Sequence, residues 1–364
     1  MESGERDGEE FRADLRPLAA AKAGSGSASA RRILSAAELA PLTELSDARS
    51  FAAIAQTALV LALAIGFGVW AWPSAWVALA VVAVGVEQHA LFILAHDAAH
   101  YRLLRNRVLN DVVGRAIGMA TGISMCTYRV IHRLHHNHLY GDEDPDTAIH
   151  GGYPRGVGYL WRKLALDLVG WNAWKTFAYF FGAPAINDDT QRTGRARARP
   201  LDDTSPELRR SARRDRWFVV ALQLALPVAA ALAGGERGLA QYAVLWLLPM
   251  LTVLQPILRL RAICEHGAVA DLSSPLTASR TNRTTRGVGN AIGRALLFPH
   301  HVNHHLEHHL YPAVPHYRLP ELHRVLAAKG VLAGAEVRDV RETLAIVFAP
   351  ARRRVRSVRT EVGA

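Results

Sequence analysis

Residues 74–100 read SAWVALAVVAVGVEQHALFILAHDAAH, and this stretch determines the expected fold. Its first part, residues 74–95, is an apolar run about long enough to cross the hydrocarbon core of a bilayer as a helix. His96 and His100 follow at once, and residues i and i+4 lie on the same face of a helix. Their imidazoles can therefore bind one metal ion together. The stretch predicts a transmembrane helix that ends at a metal site.

Three further apolar runs lie at residues 51–72, 217–233 and 239–258. A turn at 73–74 separates the first two runs of the chain, and GGERG at 234–238 separates the last two. This pairing predicts two transmembrane helical hairpins, and so an all-α integral membrane protein with four spans. Lysines and arginines favour the cytoplasmic side of a membrane, and the two outer turns contain one arginine between them. We therefore expect both hairpins to enter from the cytoplasm and return to it, with both termini on that side.

The composition narrows the possible partners. The chain has 364 residues, of which 50% are hydrophobic, and its formal net charge is +11. Such a charge suits an anionic partner, and the apolar runs favour a lipid surface over nucleic acid. The two cysteines, Cys126 and Cys264, can form neither a disulfide framework nor the four-thiolate site of an iron–sulfur cluster. Since no cytochrome b5-like haem motif is found either, electrons for a redox reaction would have to come from a separate protein.

Changes in composition give the predicted boundaries along the chain. Residues 1–32 are charged and then rich in Gly, Ala and Ser, which predicts a disordered N-terminal tail. Residues 33–330 form the predicted membrane domain, with a short helix that starts at the capping-box sequence of residues 35–38. Residues 331–364 are expected to form a C-terminal helix and a basic tail. Within the domain, the aromatic residues 170–185 favour an interfacial helix over a fifth span.

Histidine clusters recur in the polar blocks. IHRLHH at 131–136 and HHVNHHLEHH at 300–309 both contain the pattern HxxHH. Residues i, i+3 and i+4 share one face of a helix, so His132, His135 and His136 can form one three-ligand set. The later cluster allows two registers, with the set His305, His308 and His309 or the set His301, His304 and His305.

The number of histidines argues for two metal ions. One structural zinc ion needs about four ligands and leaves no open position. The clusters, together with His266 in the sequence ICEHG, supply eight or nine imidazoles. Neutral imidazole suits iron, copper, zinc and nickel. The clusters lie near the ends of the apolar runs, on the predicted cytoplasmic side, where a lipid chain could reach a metal ion.

These motifs resemble those of the membrane fatty acid desaturase family, which belongs to the three-histidine-box di-iron superfamily. The resemblance covers about residues 50–325 and is carried by HDAAH, IHRLHHNHLYGDEDPD, LRAICEHG and VNHHLEHHLYPAVPHYRLPELH. It implies two helical hairpins with a cytosolic helical cap, and a di-iron site within residues 33–330. The Leu-Tyr-Pro element after His309 matches the family's third box and favours the register that ends there. The metal ligands that the resemblance implies are His96, His100, His132, His135, His136, His266, His305, His308 and His309.

The resemblance also implies a reaction and its partners. The expected reaction is O2-dependent oxidation of an acyl-lipid or fatty acyl chain at two non-haem iron ions, with a cis double bond as the product. Electrons would come from ferredoxin or a cytochrome b5-like donor with its reductase. The protein would be a multi-pass membrane protein, in the cytoplasmic membrane if it is bacterial.

Two alternatives to a desaturase stay open. A hydroxylase or ketolase that acts on a lipid or carotenoid is the first, because the string EDPD at 143–146 resembles one in ketolases. A histidine-rich metal transporter is the second. A transporter would hold its ligands near the bilayer midplane, whereas these clusters fall outside the apolar runs.

Carboxylates beside the histidines are the predicted outer partners of the site. Ligating histidines usually donate their other N–H group to a carboxylate or a carbonyl. The candidates are Asp97, Glu265, Glu307 and the acidic run 142–146. In the favoured register, five further histidines are not expected to bind metal: His300, His301, His304, His316 and His323.

Overall fold

The computed structural model describes residues 33–141, 143–183, 204–269, 271–272, 274–284 and 287–350. The predicted N-terminal tail at 1–32 and the final part of the predicted basic tail, 351–364, lie outside these residues. The described chain is mostly helical. Its α-helices are α1 (Ala36–Thr43), α2 (Asp47–Trp70), α3 (Val77–Ala99), α4 (Arg107–Ala120), α5 (Met125–His138), α6 (Thr147–His150), α7 (Val157–Leu168), α8 (Ala173–Phe180), α9 (Pro206–Tyr242), α10 (Leu248–Leu251), α11 (Leu254–His266), α12 (Val288–Leu297), α13 (His305–Leu310), α14 (Leu319–Ala328) and α15 (Val340–Val347).

Shorter elements connect these helices. A π-helical segment, Ala243–Leu247, joins α9 to α10, and the 3-10 turns Pro299–His301 and His316–Arg318 lie on either side of α13. The two strands β1 (Thr281–Arg283) and β2 (Val337–Asp339) pair in parallel.

Three helical segments of the described chain are long and apolar enough to cross a membrane, namely α2, α3 and the continuous segment Pro206–His266. Of these, α3 is the interior helix, because 61% of its most apolar window is buried within the protein, against 11% for α2 and 6% for Pro206–His266. Leu63 of α2 and Leu232 of α9 are exposed, as are many of their apolar neighbours. Many exposed apolar side chains on long apolar helices suit contact with lipid.

The segment Pro206–His266 changes direction at Gly235. This glycine has φ 59° and ψ −145°, a conformation that residues with a Cβ atom rarely adopt. A Cβ atom at Gly238 would lie 2.3 Å from the carbonyl oxygen of Ala230. Residues with this separation in a straight α-helix lie about 12 Å apart. The chain therefore reverses at Gly235, inside the turn predicted at 234–238.

The main apolar core surrounds the C-terminal half of α3. Phe92, Ile93 and Leu94 are buried there and pack with Tyr128 of α5 and Phe298, which precedes the first 3-10 turn. The helix that carries the first histidine motif is thus held on several sides. This packing fixes the position of the end of α3.

A second cluster attaches α1 to α13 and α14. Leu42 of α1 packs with Leu306 of α13 and Leu322 of α14. The capping box predicted at the start of α1 is confirmed, since the Ser35 hydroxyl accepts from the Glu38 N–H at 3.3 Å and the Glu38 carboxylate accepts from the Ser35 N–H at 2.9 Å. The N-terminal helix thereby covers the helix that carries the last histidine motif.

The strand pair connects residues beyond 330 to the histidine region. Arg280 is fully buried, and its Nε lies 3.1 Å from the Glu336 carboxylate. This ion pair precedes β1 and β2 and brings the two strands together. Thr281 of β1 also forms an antiparallel bridge with His304, the residue before α13. Residues 331–347, predicted to belong to a separate C-terminal segment, therefore brace the last histidine motif through β2 and α15.

Candidate metal centre

Helix ends and the short helix α13 bring the predicted histidines together. His96 lies in the last turn of α3, His100 is its C-cap, and His266 is the last residue of α11. The other six lie on two helices, His132, His135 and His136 on α5 and His305, His308 and His309 on α13. The apolar run predicted to end at 258 continues as helix to His266, which places that residue at a helix terminus like the others.

The nine histidines form two groups, in each of which one candidate ligand nitrogen per residue lies within 4.8 Å of the others. The five-histidine group consists of His96, His100, His132, His136 and His308. The four-histidine group consists of His135, His266, His305 and His309. In α5 and in α13, the i and i+4 histidines enter one group and the third histidine enters the other. Each HxxHH motif thus divides between the groups, instead of forming the single three-ligand set expected from its spacing.

Ring nitrogens converge closely in the five-histidine group. The Nε2 atom of His136 lies 3.0 Å from Nε2 of His132 and 3.0 Å from Nε2 of His308. Both ring nitrogens of His96 and the Nε2 of His100 are buried without a hydrogen-bond partner among the described residues. Buried polar atoms normally have partners, and a metal ion at the centre of the group would supply them.

The four-histidine group has the same character. The Nε2 atom of His266 lies 3.1 Å from Nε2 of His135 and 2.8 Å from Nε2 of His305. The His309 Nε2 lies 3.1 Å from the same atom of His305. Each neutral ring carries one N–H and one lone pair, so several facing lone pairs are best satisfied by a cation. The donor atoms in both groups therefore fit metal ions that prefer nitrogen ligands.

The protonation states of these histidines favour metal binding. Burial, together with the neighbouring histidines, lowers the pKa of His132, His136, His308 and His309 well below the ordinary value. The same causes lower the pKa of His100 to about 3. These rings are neutral near pH 7, and the neutral ring is the form that binds a metal ion.

Asp144 holds His135 in place. The Asp144 Oδ1 lies 3.0 Å from Nδ1 of His135, which leaves Nε2 free to face the four-histidine group. Burial lowers the pKa of His135, but the charges of Asp144 and Asp146 outweigh burial and raise it. Asp144 also accepts hydrogen bonds from the backbone N–H groups of Tyr140 and Asp146, at 2.8 and 2.9 Å. One residue of the predicted acidic run is therefore fixed as an outer partner of the site.

Asp97 and Glu265 also lie beside predicted ligands. Asp97 accepts from the backbone N–H of His316 at 3.0 Å and from its ring Nδ1 at 2.7 Å, and lies 3.7 Å from Nδ1 of His96. Glu265 binds Arg261 at 2.8 Å and lies 3.6 Å from Nδ1 of His305. Each carboxylate therefore lies near one predicted ligand histidine and is bound to a second residue, His316 for Asp97 and Arg261 for Glu265.

Glu307 has a different environment from the one expected. It is fully buried, accepts a short hydrogen bond from the Thr281 hydroxyl, and lies 2.5 Å from Nδ1 of His323 and 3.9 Å from Nδ1 of His304. Its neighbours in sequence, His305 and His308, point into the metal groups, so Glu307 points to the other side of α13. It anchors this helix to β1 and α14.

The five histidines not expected to bind metal lie outside both groups. The His300 Nε2 lies 2.9 Å from the Thr57 hydroxyl of α2, and His316 binds Asp97. His304 and His323 flank Glu307. The geometry therefore brings together the histidines of the register that ends at His309, and leaves His301 and His304 apart.

His150 is a candidate site residue that sequence reasoning missed. It ends α6, is buried, and forms with His135 and Asp144 a further set of possible ligands. Burial lowers its pKa to about 3. Its position depends on the loop after α5, and no spacing relates it to the HxxHH motif. The one signal in the sequence was its closeness to the acidic run at 142–146.

A cavity of about 140 Å³ opens beside both groups. Residues of α3, α5, α6, α7, α8, α11 and α13 line it, and they include histidines of each group. Phe92, Ile131 and Phe180 form apolar wall, while Lys163 and Lys175 lie on the α7–α8 side. The arrangement offers space for an organic molecule next to the candidate metal ions.

The chain is similar in sequence to known proteins. The family model described as fatty acid desaturase matches residues 70–340. The chain is similar to dihydrorhizobitoxine desaturase of Bradyrhizobium elkanii, with 28% identity over 265 residues, which cover 70% of this chain and 68% of that protein.

Two plant enzymes match over a shorter stretch. The chloroplastic omega-3 fatty acid desaturase of Glycine max is 34% identical over 79 residues, covering 22% of this chain and 16% of the plant protein. That of Brassica napus is 33% identical over 96 residues, covering 25% and 22%. The chain thus spans less than a quarter of the length of these plant relatives in the alignments.

Proposed function

The chain belongs to the fatty acid desaturase family, and from this premise we propose that it introduces a cis double bond into an acyl-lipid or fatty acyl chain by O2-dependent oxidation at two iron ions. Membership makes the protein an oxidoreductase. The observation that carries the finer proposal is the division of nine buried histidines into a five-histidine and a four-histidine group. Two nitrogen-rich sites side by side suit two ions that share one O2 molecule.

The histidines would coordinate the irons, and neighbouring carboxylates would orient the histidine rings. All nine predicted ligands are imidazoles, which suit iron among other metals. Asp144 orients His135, and Glu265 lies close enough to His305 to do the same. When bound, the two irons would supply the oxidising power that unactivated CH2 groups require. Over the whole reaction one O2 accepts four electrons, two from the substrate and two from the donor, and leaves as two water molecules.

The cavity would position the chain to be oxidised. Phe92, Ile131 and Phe180 provide apolar contact beside the metal groups. Close confinement holds one CH2–CH2 unit near the metals and excludes bulk water. The histidines then serve as metal ligands, and none of them has to act as an acid or base.

The electrons would come from a separate protein. Cys126 and Cys264 are the two cysteines of the sequence, and two thiolates cannot replace the four that hold an iron–sulfur cluster. We propose ferredoxin or a cytochrome b5-like protein, with its reductase, as the donor. The net charge of +11 would favour the approach of an acidic protein.

We propose four spans with a cytosolic helical cap and both termini in the cytoplasm. The apolar helices α2 and α3 form one pair, and the reversal at Gly235 divides Pro206–His266 into a second pair. Three of the predicted ligands, His96, His100 and His266, lie at the C-terminal ends of α3 and α11, as expected for a site at one membrane surface. In a bacterium this would be the cytoplasmic membrane.

Expression in a host that lacks the activity tests the reaction. Lipids from cells with the wild-type protein are compared by mass spectrometry, with double-bond mapping, against cells with a His132→Ala/His136→Ala variant. We expect a new double bond only with the wild type, and about two irons per purified chain, as the ligand supply implies. An alcohol or ketone instead of a double bond would favour the hydroxylase or ketolase alternative. One zinc per fully active chain would contradict the di-iron proposal.

A further inference from the structure

The lining of the cavity beside the metal groups contains positively charged side chains, which the binding of an uncharged acyl chain does not explain. Four cationic side chains line it, namely Lys163, Lys175, Arg259 and Arg261. Both arginines have carboxylate partners, because Arg259 binds buried Asp167 through two nitrogens and Arg261 binds Glu265 at 2.8 Å. Two lysines, Lys163 and Lys175, also line the cavity, on the consecutive helices α7 and α8.

Lys175 has no carboxylate partner among the residues that the structure describes. Its ammonium nitrogen lies 5.7 Å from the centre of the Trp174 ring. Asp146, a carboxylate that lines the same cavity, is already bound by the Tyr179 hydroxyl. A half-buried ammonium group that faces a cavity without a counter-ion favours an anionic ligand, because binding replaces lost hydration.

Lys163 reinforces this positive wall. It is only 7% exposed, and its ammonium nitrogen lies 5.5 Å from the centre of the Tyr159 ring. Together, the two lysines place positive charge on the side of the cavity formed by α7 and α8. Histidines of both metal groups line the same cavity.

The same two helices carry the features of a membrane–water boundary. Trp161, Trp171 and Trp174 are all exposed on or beside α7 and α8. Exposed tryptophans concentrate at the depth of lipid headgroups, and residues 170–185 were expected to form an interfacial helix. Lys175 therefore lies where the polar end of an amphiphile would lie while its chain extends toward the histidines.

We propose that Lys175 binds the anionic end of the substrate, a carboxylate or a phosphate group, inside the cavity. This inference rests on the proposed desaturase function and specifies the substrate class as an anionic amphiphile. The anion would contact Lys175, and the attached chain would run along Phe92, Ile131 and Phe180 to the metal groups.

Binding of matched probes tests the proposal. Dodecanoate and dodecan-1-ol, which differ only in the charged end, are titrated into the purified full chain in dodecyl maltoside at about pH 8, where the carboxylate is ionised. We expect the wild type to prefer dodecanoate about tenfold, as one charge-assisted hydrogen bond predicts. Lys175→Gln should abolish the preference, Lys175→Arg should retain it, and Lys329→Gln on the surface should not change it. Equal binding of the two probes, or an unchanged preference in Lys175→Gln, would overturn the proposal.

A third probe separates the two sources of negative charge. Dihexanoyl phosphatidate presents a lipid phosphate, so a Lys175-dependent preference for it over dodecanoate would identify a phospholipid substrate. The opposite preference would identify a fatty acid. Iron content and host activity of the same variants report on the desaturase proposal independently, since probe binding requires no turnover.

Discussion

Among single residues, His301 and His308 best distinguish the two registers of the last histidine motif. His308 is buried, and its Nε2 lies 3.0 Å from Nε2 of His136 in the five-histidine group. His301 is exposed in the preceding 3-10 turn and has a left-handed φ of 61°. One residue points into the candidate site and the other lies on the surface, although both belong to an HxxHH pattern.

Replacing His308 should disrupt the site, and replacing His301 should not. His308→Ala removes a predicted ligand, so we expect activity to be lost. Loss of an outer partner lowers metal affinity roughly 10–100-fold, and we expect loss of this ligand to lower iron affinity by more than that. His301→Ala should keep both. Iron content and turnover are measured on the same samples. Full iron and turnover in His308→Ala would show that the register is wrong.

Asp144 offers a test of an outer partner. Asp144→Asn keeps the size of the side chain but removes the charge that holds His135, so we expect iron affinity to fall roughly tenfold. Glu143→Gln is the matched control, because that neighbouring carboxylate is exposed and contacts His138 outside the site. Competition with a chelator measures both. Equal affinities in the two variants would mean that Asp144 is not an outer partner of the metal.

At the scale of elements, close approach at two glycines sets the packing of the apolar helices. A Cβ atom at Gly68 of α2 would lie 2.4 Å from a methyl group of Leu245, and one at Gly85 of α3 would lie 2.6 Å from the Val253 side chain. The segment 243–253 therefore packs directly against α2 and α3. This contact helps to hold α11, and with it His266, beside the end of α3.

A methyl group at Gly85 should separate these helices. Gly85→Ala forces Val253 or the backbone to move, which should destabilise the protein by about 1–3 kcal/mol and lower the unfolding temperature. Gly66→Ala is the control, since no atom lies within 4 Å of its added Cβ. That change should be neutral or stabilising by up to about 1 kcal/mol, because glycine loses more entropy on folding. Thermal unfolding in one detergent compares them, and equal unfolding temperatures would refute the packing argument.

The sequence predicted elements well where a local signal exists. The apolar runs gave α2 and α3, and the capping box gave α1. Between residues 100 and 183 the sequence contains only weak local signals, and contacts between residues far apart in the chain determine the structure. For example, the Asn110 side chain accepts from the N–H groups of Leu103 and Leu104 and donates to the Ala98 carbonyl, which fixes α4 against the end of α3.

The candidate site shows the same division. The nine histidines could be found from spacing and family resemblance, because their pattern is local. Spacing did not predict how they divide between two groups, since that depends on how α5 and α13 face each other. Glu307 and His150 were misjudged or missed for the same reason, because each side chain's direction depends on tertiary contacts with Thr281 and with His135.

At the scale of the whole molecule, the protein has two parts: a bundle of long helices with exposed apolar side chains, and a polar region that contains the histidine groups. The helices α2 and α9 expose apolar side chains along their length, and α3 lies inside them. The two histidine groups include residues at the C-terminal ends of α3 and α11. This division fits the proposed arrangement, in which the apolar helices cross the membrane and the histidine groups lie at one of its surfaces.

Cysteine labelling tests the proposed topology. Ser74→Cys and Glu236→Cys lie at the two exposed turns, and we expect an impermeant reagent to reach them from outside the cell. Lys329→Cys, exposed at the end of α14, should be labelled only after the membrane is opened. The native Cys126 and Cys264 are buried and should give a low background. Labelling of Lys329→Cys in intact cells would overturn the orientation.

The sharing of α5 and α13 between the two histidine groups has a consequence for how metal enters. An ion bound in the five-histidine group ties His132 and His136 to His308, and so orders both helices at once. His135, His305 and His309 are then already in position for the second ion. Binding of the first ion would be weakened by the loss of conformational entropy of the two helices. The second ion would bind more tightly, because its ligands would already be ordered. Loading should therefore be cooperative, with a steep iron titration and little half-filled protein at any stage.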